Sequence, residues 1–193
     1  MKAFETLPEG YQKIYSLHLQ KEKKKALLVN LLALLIGVGM AVPMHFVVPI
    51  TSLFDLSEGL GPYTIRFAAL LGGMILYIFL HEAVHGITMK LCGTKKVKYG
   101  FTGLYAFAGS EDYYDKGSYL LIAMAPVAVF FVLFGVLNLL VSENWFWVIY
   151  LLQITNISGA AGDFYVTVKF AAFPSDILVQ DSGVGMSVYS RNI

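Results

Sequence analysis

Four apolar runs, 26–50, 64–91, 119–141 and 145–173, take up more than half of the 193 residues. Each exceeds the ~20 apolar residues that a helix needs to cross a bilayer. A chain with four such runs has no polar surface to turn outward along most of its length, and this limits its fold more than any other feature. Composition agrees: 57% of residues are hydrophobic, only 14% are charged, and mean hydropathy is +0.65. Ordinary soluble domains carry about a quarter charged residues. The first run follows a polar segment of 25 residues and lacks a small-x-small cleavage site. It also exceeds the roughly 7–15 residues of a signal-peptide apolar region, so it is expected to stay in the protein as a membrane span.

Lysine placement gives an orientation, because connections on the cytosolic side collect Lys and Arg. Lys2, Lys13, Lys21, Lys23, Lys24 and Lys25 precede the first run, and Lys90, Lys95, Lys96, Lys98 and Lys116 flank the connection between the second and third. The connections around Asp55 and Glu58 and around Glu143 have neither, and Arg66 lies just inside the second run. The expected fold class is therefore an all-α polytopic membrane protein with four transmembrane helices, N-in and C-in. A single domain would cover 1–193, with a cytosolic N-terminal segment 1–25, a four-helix membrane core 26–173 and a cytosolic tail 174–193. A net charge of +1 gives no reason to expect nucleic acid, and the lone Cys92 excludes an internal disulfide.

The second run contains "HEAVHG", with His81 and His85 four residues apart. On a helix they project from nearly the same face, one turn apart. Two imidazoles so arranged can bind one zinc ion, with Glu82 as general base toward a zinc-bound water that attacks a carbonyl. The bland alternative is a chance pattern satisfied by neighbouring backbone. It is disfavoured because ionisable groups at the centre of a span cost roughly 2.5–3.5 kcal/mol each, and a divalent cation compensates a cluster of them.

A catalytic zinc needs a third protein ligand and an open position. In "LLQITNISGAAGDFYVTVKF" the residues Gln153, Asn156, Ala160 and Asp163 follow helical spacing, and Asp163 is the one acidic residue of that run. Depth agrees. With Tyr63 and Trp145 as interfacial anchors, Glu82 lies ~28 Å along one span and Asp163 ~27 Å along the other, running the same way. Both then lie near the cytosolic edge. The alternative for Asp163 is an ion pair with Lys169. His45 falls near the outer face as a helix-end residue, and His18 reads as ordinary polar surface. Small residues at Gly72–Gly73 and "SGAAG" allow close helix approach.

An HExxH on one span and an aspartate after a glycine-containing break on a later one resemble the site-2-protease class of intramembrane metalloproteases. A nearer likeness is to a bacterial family of small membrane proteins of unknown function, classed as zincin peptidases. It covers nearly the whole chain through "LPEGYQKIYSLHLQKEKKK", "HEAVHG", "KVKYGFTGLYAFAG", "APVAV" around Pro126, the Gly162–Asp163 pair and "DSGVGMSVY". The resemblance implies zinc as cofactor, His81, His85 and Asp163 as ligands and Glu82 as catalytic base. The usual Leu-Asp-Gly of site-2 proteases is replaced here by Ala-Gly-Asp-Phe, so Glu111, Asp112 and Asp181 stay open as substitutes for the third ligand.

Around this site, residues 97–102 and 104–108 read as a small interfacial β-hairpin between the second and third spans, with Ser110 or Asp112 as helix cap. It is either a structural hairpin or a free edge on which an extended substrate pairs. The tail offers strand-like runs at 177–180 and 184–189 around a turn at Asp181–Ser182–Gly183, forming either a cap or a loose end. The basic run "KEKKK" anchors a span against anionic lipid. The expected function is an integral-membrane zinc metalloprotease in the bacterial cytoplasmic membrane, cleaving a membrane-associated polypeptide near the cytosolic face. The alternative is a non-enzymatic, zinc-stabilised membrane protein that binds a partner helix. A metal or proton transporter is weaker, because the outer half "FAALLGGMILYIFL" is almost wholly apolar.

Overall fold

The computed structural model describes residues 2–18, 21–103 and 105–191. Short strands β1 (Ala3–Phe4) and β2 (Gln12–Leu17) precede helix α1 (Lys23–His45). A 3-10 turn at Ile50–Phe54 leads into α2 (Leu60–Leu91), and then come β3 (Lys98–Phe101), β4 (Ala106–Gly109) and β5 (Tyr113–Asp115). The chain continues through α3 (Lys116–Leu140), α4 (Glu143–Gly159), α5 (Ala161–Ala171), β6 (Leu178–Asp181) and β7 (Met186–Ser190). It divides into two compact units, one of residues 1–29, 80–126 and 162–193, the other of 30–79 and 127–161.

The first unit corrects the all-α expectation. It holds a five-stranded antiparallel sheet in the order β1-β5-β6-β7-β2, so the fold is mixed α and β. The strands have two to six residues and come from the N-terminal segment, the connection before α3 and the tail. β2 pairs with β7, setting Gln12 opposite Ser190. No periodicity within such short segments announces a partner so far away in sequence. Once paired, they present an apolar face. Tyr114, Val179 and Val188 are fully buried and pack with Met89 of α2, Ile122 of α3 and Phe170 of α5. Each such burial contributes roughly 1.5–3 kcal/mol.

The tail is therefore folded into the sheet. Its strands fall one or two residues later than the runs expected at 177–180 and 184–189. The hairpin between α2 and α3 is present as β3 and β4, with Tyr99 opposite Ala108; Leu104, which was expected to begin its second strand, lies outside the described residues. The cap of α3 is Asp115, whose Oδ1 accepts from the Ser118 amide at 2.8 Å, in place of Ser110 or Asp112.

Three helices among the described residues are long and apolar enough to cross a membrane: α1, α2 and α3. This corrects the expectation of four. The run 145–173 is divided at Ala160 into α4 and α5, within the side-chain-poor "SGAAG" stretch. Along α1 no residue is buried, and Leu27, Leu31, Leu34, Leu35, Val38 and Val42 are exposed. In the second unit Trp147 is fully buried with Leu53, Leu70 and Val148, and its indole donates to the Val48 carbonyl at 3.1 Å. Gly73 abuts Leu152 there. Its missing side chain makes room for that contact.

Candidate metal centre

His81, Glu82, His85, Ala108, Ile122 and Asp163 all belong to the first unit. The four-residue spacing in α2 brings the imidazole rings of His81 and His85 to 4.8 Å between centroids. Across from them stands Asp163, in the first turn of α5. Because the chain breaks at Ala160, α5 has its own N-terminus, and the positive end of the helix dipole favours a carboxylate there. His81 Nε2 lies 3.4 Å from Asp163 Oδ2 and His85 Nε2 lies 3.6 Å from Asp163 Oδ1. The three ligating atoms lie within 4.8 Å of one another.

Two backbone groups complete the surroundings. His85 Nδ1 is 2.9 Å from the Ile122 carbonyl of α3. A carbonyl only accepts, so Nδ1 carries the proton and the Nε2 lone pair is left for a metal. The Ala108 amide of β4 donates to Glu82 Oε2 at 2.7 Å. Glu82 is thereby held against the hairpin, and His81, His85 and Asp163 are the group that could hold a metal ion.

The other candidates do not join this cluster, although Asp181 is near enough to interact electrostatically with His85 and Asp163. Glu111 pairs with Lys98 at 2.6 Å on the exposed surface. Asp112 lies just before β5, its amide donating to Ser110 Oγ. Asp181 is buried, and its carboxylate accepts from Tyr119 at 3.0 Å and from the Gly183 amide at 2.8 Å. Burial raises its pKa above the usual carboxylate value despite these bonds. Lys169 lies over the rings of Tyr15 and Phe173 instead of beside Asp163. Asn156 and Gln153 belong to the second unit, where they donate to the Val127 and Phe131 carbonyls of α3. His45 ends α1 and accepts from the Ile50 amide at 3.1 Å.

Residues 74–178 match the family described as "Putative zincin peptidase". The chain belongs to that family. No curated protein and no solved structure matches it. Zincin membership implies a zinc ion, and the donor chemistry fits one. Two neutral imidazoles and a carboxylate are the usual nitrogen and oxygen ligands, and a tetrahedral site with bonds of about 2.1 Å has edges of about 3.4 Å. The His–Asp separations, 3.4 Å to Oδ2 and 3.6 Å to Oδ1, run to different carboxylate oxygens, and with one atom from each residue the set lies within 4.8 Å, near enough to converge on one ion with a small adjustment of the side chains. The His85 contact to Ile122 is the kind of outer-shell bond that fixes a zincin histidine in its ligating tautomer. Sequence reasoning missed the Ile122 carbonyl and the Ala108 amide, because a backbone group has no letter of its own. The expected hairpin pointed to the right segment for Ala108 without selecting an amide.

Proposed function

We propose that this zincin is an integral-membrane zinc metallopeptidase that hydrolyses peptide bonds near the cytosolic face of the membrane, with His81, His85 and Asp163 as metal ligands and Glu82 as catalytic base. The observation that carries the reading is the separation of roles on α2. The two histidines face Asp163, and the intervening Glu82 is held by the Ala108 amide. A bound zinc would supply Lewis acidity to the scissile carbonyl and to the attacking water. Glu82 takes a proton from that water and passes it to the departing amine. The Ala108 bond occupies one carboxylate oxygen and leaves the other for this exchange.

His81 lies about 32 Å along α2 from Leu60, close to the ~30 Å thickness of a hydrocarbon core. This supports a site at one face of the membrane. The lysine distribution favours the cytosolic face and cytosolic termini, with the bacterial cytoplasmic membrane as the location. The substrate class follows from the chemistry. A helix hides its carbonyls, so the substrate is an unwound, membrane-associated polypeptide; the exposed strand β3 is the edge of the hairpin on which it would pair, since the Ala108 amide of β4 is taken by Glu82. A non-enzymatic zinc protein would need the three ligands but not Glu82.

The test is metal content by mass spectrometry of detergent-purified protein. Near one zinc per chain is expected in the native protein and in Glu82→Gln, with loss in His81→Ala and Asp163→Ala. Zinc retained by Asp163→Ala moves the third ligand elsewhere. Absence of zinc from the native protein after reconstitution overturns the reading.

A further inference from the structure

We propose that Pro126 is a positioning residue for the metal centre, acting through the carbonyl of Ile122 on the tautomer of His85. The inference rests on the zinc reading above and concerns a residue outside its ligand set. α3 runs unbroken from Lys116 to Leu140 with Pro126 inside it. In an α-helix the carbonyl of residue 122 accepts from the amide of residue 126. Proline has no amide hydrogen, and its ring clashes with the carbonyl four residues before it. Ile122 is therefore left with a carbonyl that has lost its helical donor. Ile122 is almost fully buried, so water cannot replace the lost partner.

That carbonyl is the one His85 meets, 2.9 Å from Nδ1. The hydrogen bond missing from α3 is made instead by the second histidine of "HEAVHG". The exchange works in both directions. The imidazole satisfies a buried acceptor that a proline helix would otherwise strand. The acceptor in turn holds the proton on Nδ1 and turns Nε2 toward Asp163 Oδ1, 3.6 Å away. Any other residue at position 126 would supply an amide and re-form the helical bond, leaving His85 a shared acceptor aimed along α3. A proline whose only role was to bend α3 would have no such effect on the imidazole.

The experiment reads both the imidazole and the metal. The chain has four histidines, so ¹⁵N-histidine labelling of the detergent-solubilised full-length protein gives few ring signals. In chelator-treated native protein at mildly alkaline pH, His85 is expected as the Nδ1–H tautomer. In Pro126→Ala it shifts toward a mixture with Nε2–H, and zinc titrated against a competing chelator binds about tenfold more weakly, the low end of the 10–100-fold cost of losing an outer-shell partner. Pro43→Ala, in a helix that supplies no ligand, leaves both readouts unchanged. An Nε2–H tautomer in the native protein overturns the proposal without any variant being needed. So does a Pro126→Ala protein with native tautomer and native zinc affinity. Failure of the native protein to bind zinc counts against the metallopeptidase reading, and the metal-free tautomer still decides the role of Pro126.

Discussion

The Ala108 amide reaches Glu82 Oε2 across 2.7 Å, tying the acid of the "HEAVHG" turn to a strand instead of to the histidines beside it. A carboxylate so held accepts one hydrogen bond permanently and keeps a fixed direction. Glu82→Gln preserves the oxygen that accepts from Ala108 but has no base to offer. It should leave zinc content unchanged and lower hydrolysis of an unfolded, membrane-tethered polypeptide by about 10²–10⁴-fold. Assay in proteoliposomes alongside zinc analysis checks both halves. A Glu82→Gln protein with native turnover would remove Glu82 from the reaction.

Two glycines beside the site differ in what a side chain would meet. A methyl group on Gly109 of β4 would overlap the backbone of Ser182 and Gly183 in the β6–β7 turn, where Gly183 has φ of +83°. A methyl group on Gly86 of α2 would overlap the phenol end of Tyr99, a half-exposed side chain. Backbone cannot step aside, but a tyrosine tip can. Gly109→Ala should therefore cost about 1–3 kcal/mol, as overpacking does, and Gly86→Ala distinctly less. Thermal unfolding in detergent orders the two. Tyr99→Ala should rescue Gly86→Ala and do nothing for Gly109→Ala.

Asp181 makes stability depend on pH with a sign opposite to that of most carboxylates. Burial raises its pKa above 3.8, so the folded chain holds this proton more tightly than the unfolded one does. The associated stability is fully present below pH 3.8 and is lost as pH rises through the elevated folded value. Asp181→Asn stays neutral throughout. The melting temperature of Asp181→Asn relative to the native chain, both treated with chelator, should therefore rise with pH above 3.8 and level off once Asp181 has ionised. A difference independent of pH would show that Asp181 ionises in the fold as easily as in the unfolded chain.

What the sequence revealed tracks how local each signal is. The long apolar helices and the pairing of His81 with His85 depend on neighbours three to seven residues away, and both could be read directly. Asp163 is reached less directly, as the one acidic residue of its run, by helical spacing and depth along that run, and by a resemblance that places an aspartate after a glycine-containing break. It meets the histidines even though the chain breaks at Ala160, because the break gives α5 a fresh N-terminus for the carboxylate. The five-stranded sheet could not be read, since pairings such as Ala3 with Tyr114 and Leu17 with Met186 join segments more than a hundred residues apart. The N-terminal strand "QKIYSL" was masked further by the lysines around it, which read as a solvated cytosolic segment.

That masking leads to a comparison of two leucines. Leu17 belongs to the lysine-rich N-terminal segment, read as cytosolic, and Leu27 to the first apolar run, read as a membrane span. In the fold the two are buried to very different degrees. Leu17 is 2% exposed at the end of β2 and packs in the cluster that carries Met89 and Val188, whereas Leu27 on α1 is 69% exposed. Leu17→Ala should cost about 2–5 kcal/mol through lost burial and the cavity left behind. Leu27→Ala removes a side chain that is exposed in the fold, and should change stability by less than about 0.5 kcal/mol. Denaturation of the two variants in the same detergent measures the contrast. Because Met89 lies on α2 one turn beyond His85, Leu17→Ala should also weaken zinc binding as the sheet loosens beneath that helix. Equal costs for the two substitutions would mean that the N-terminal strand does not support the metal-bearing unit.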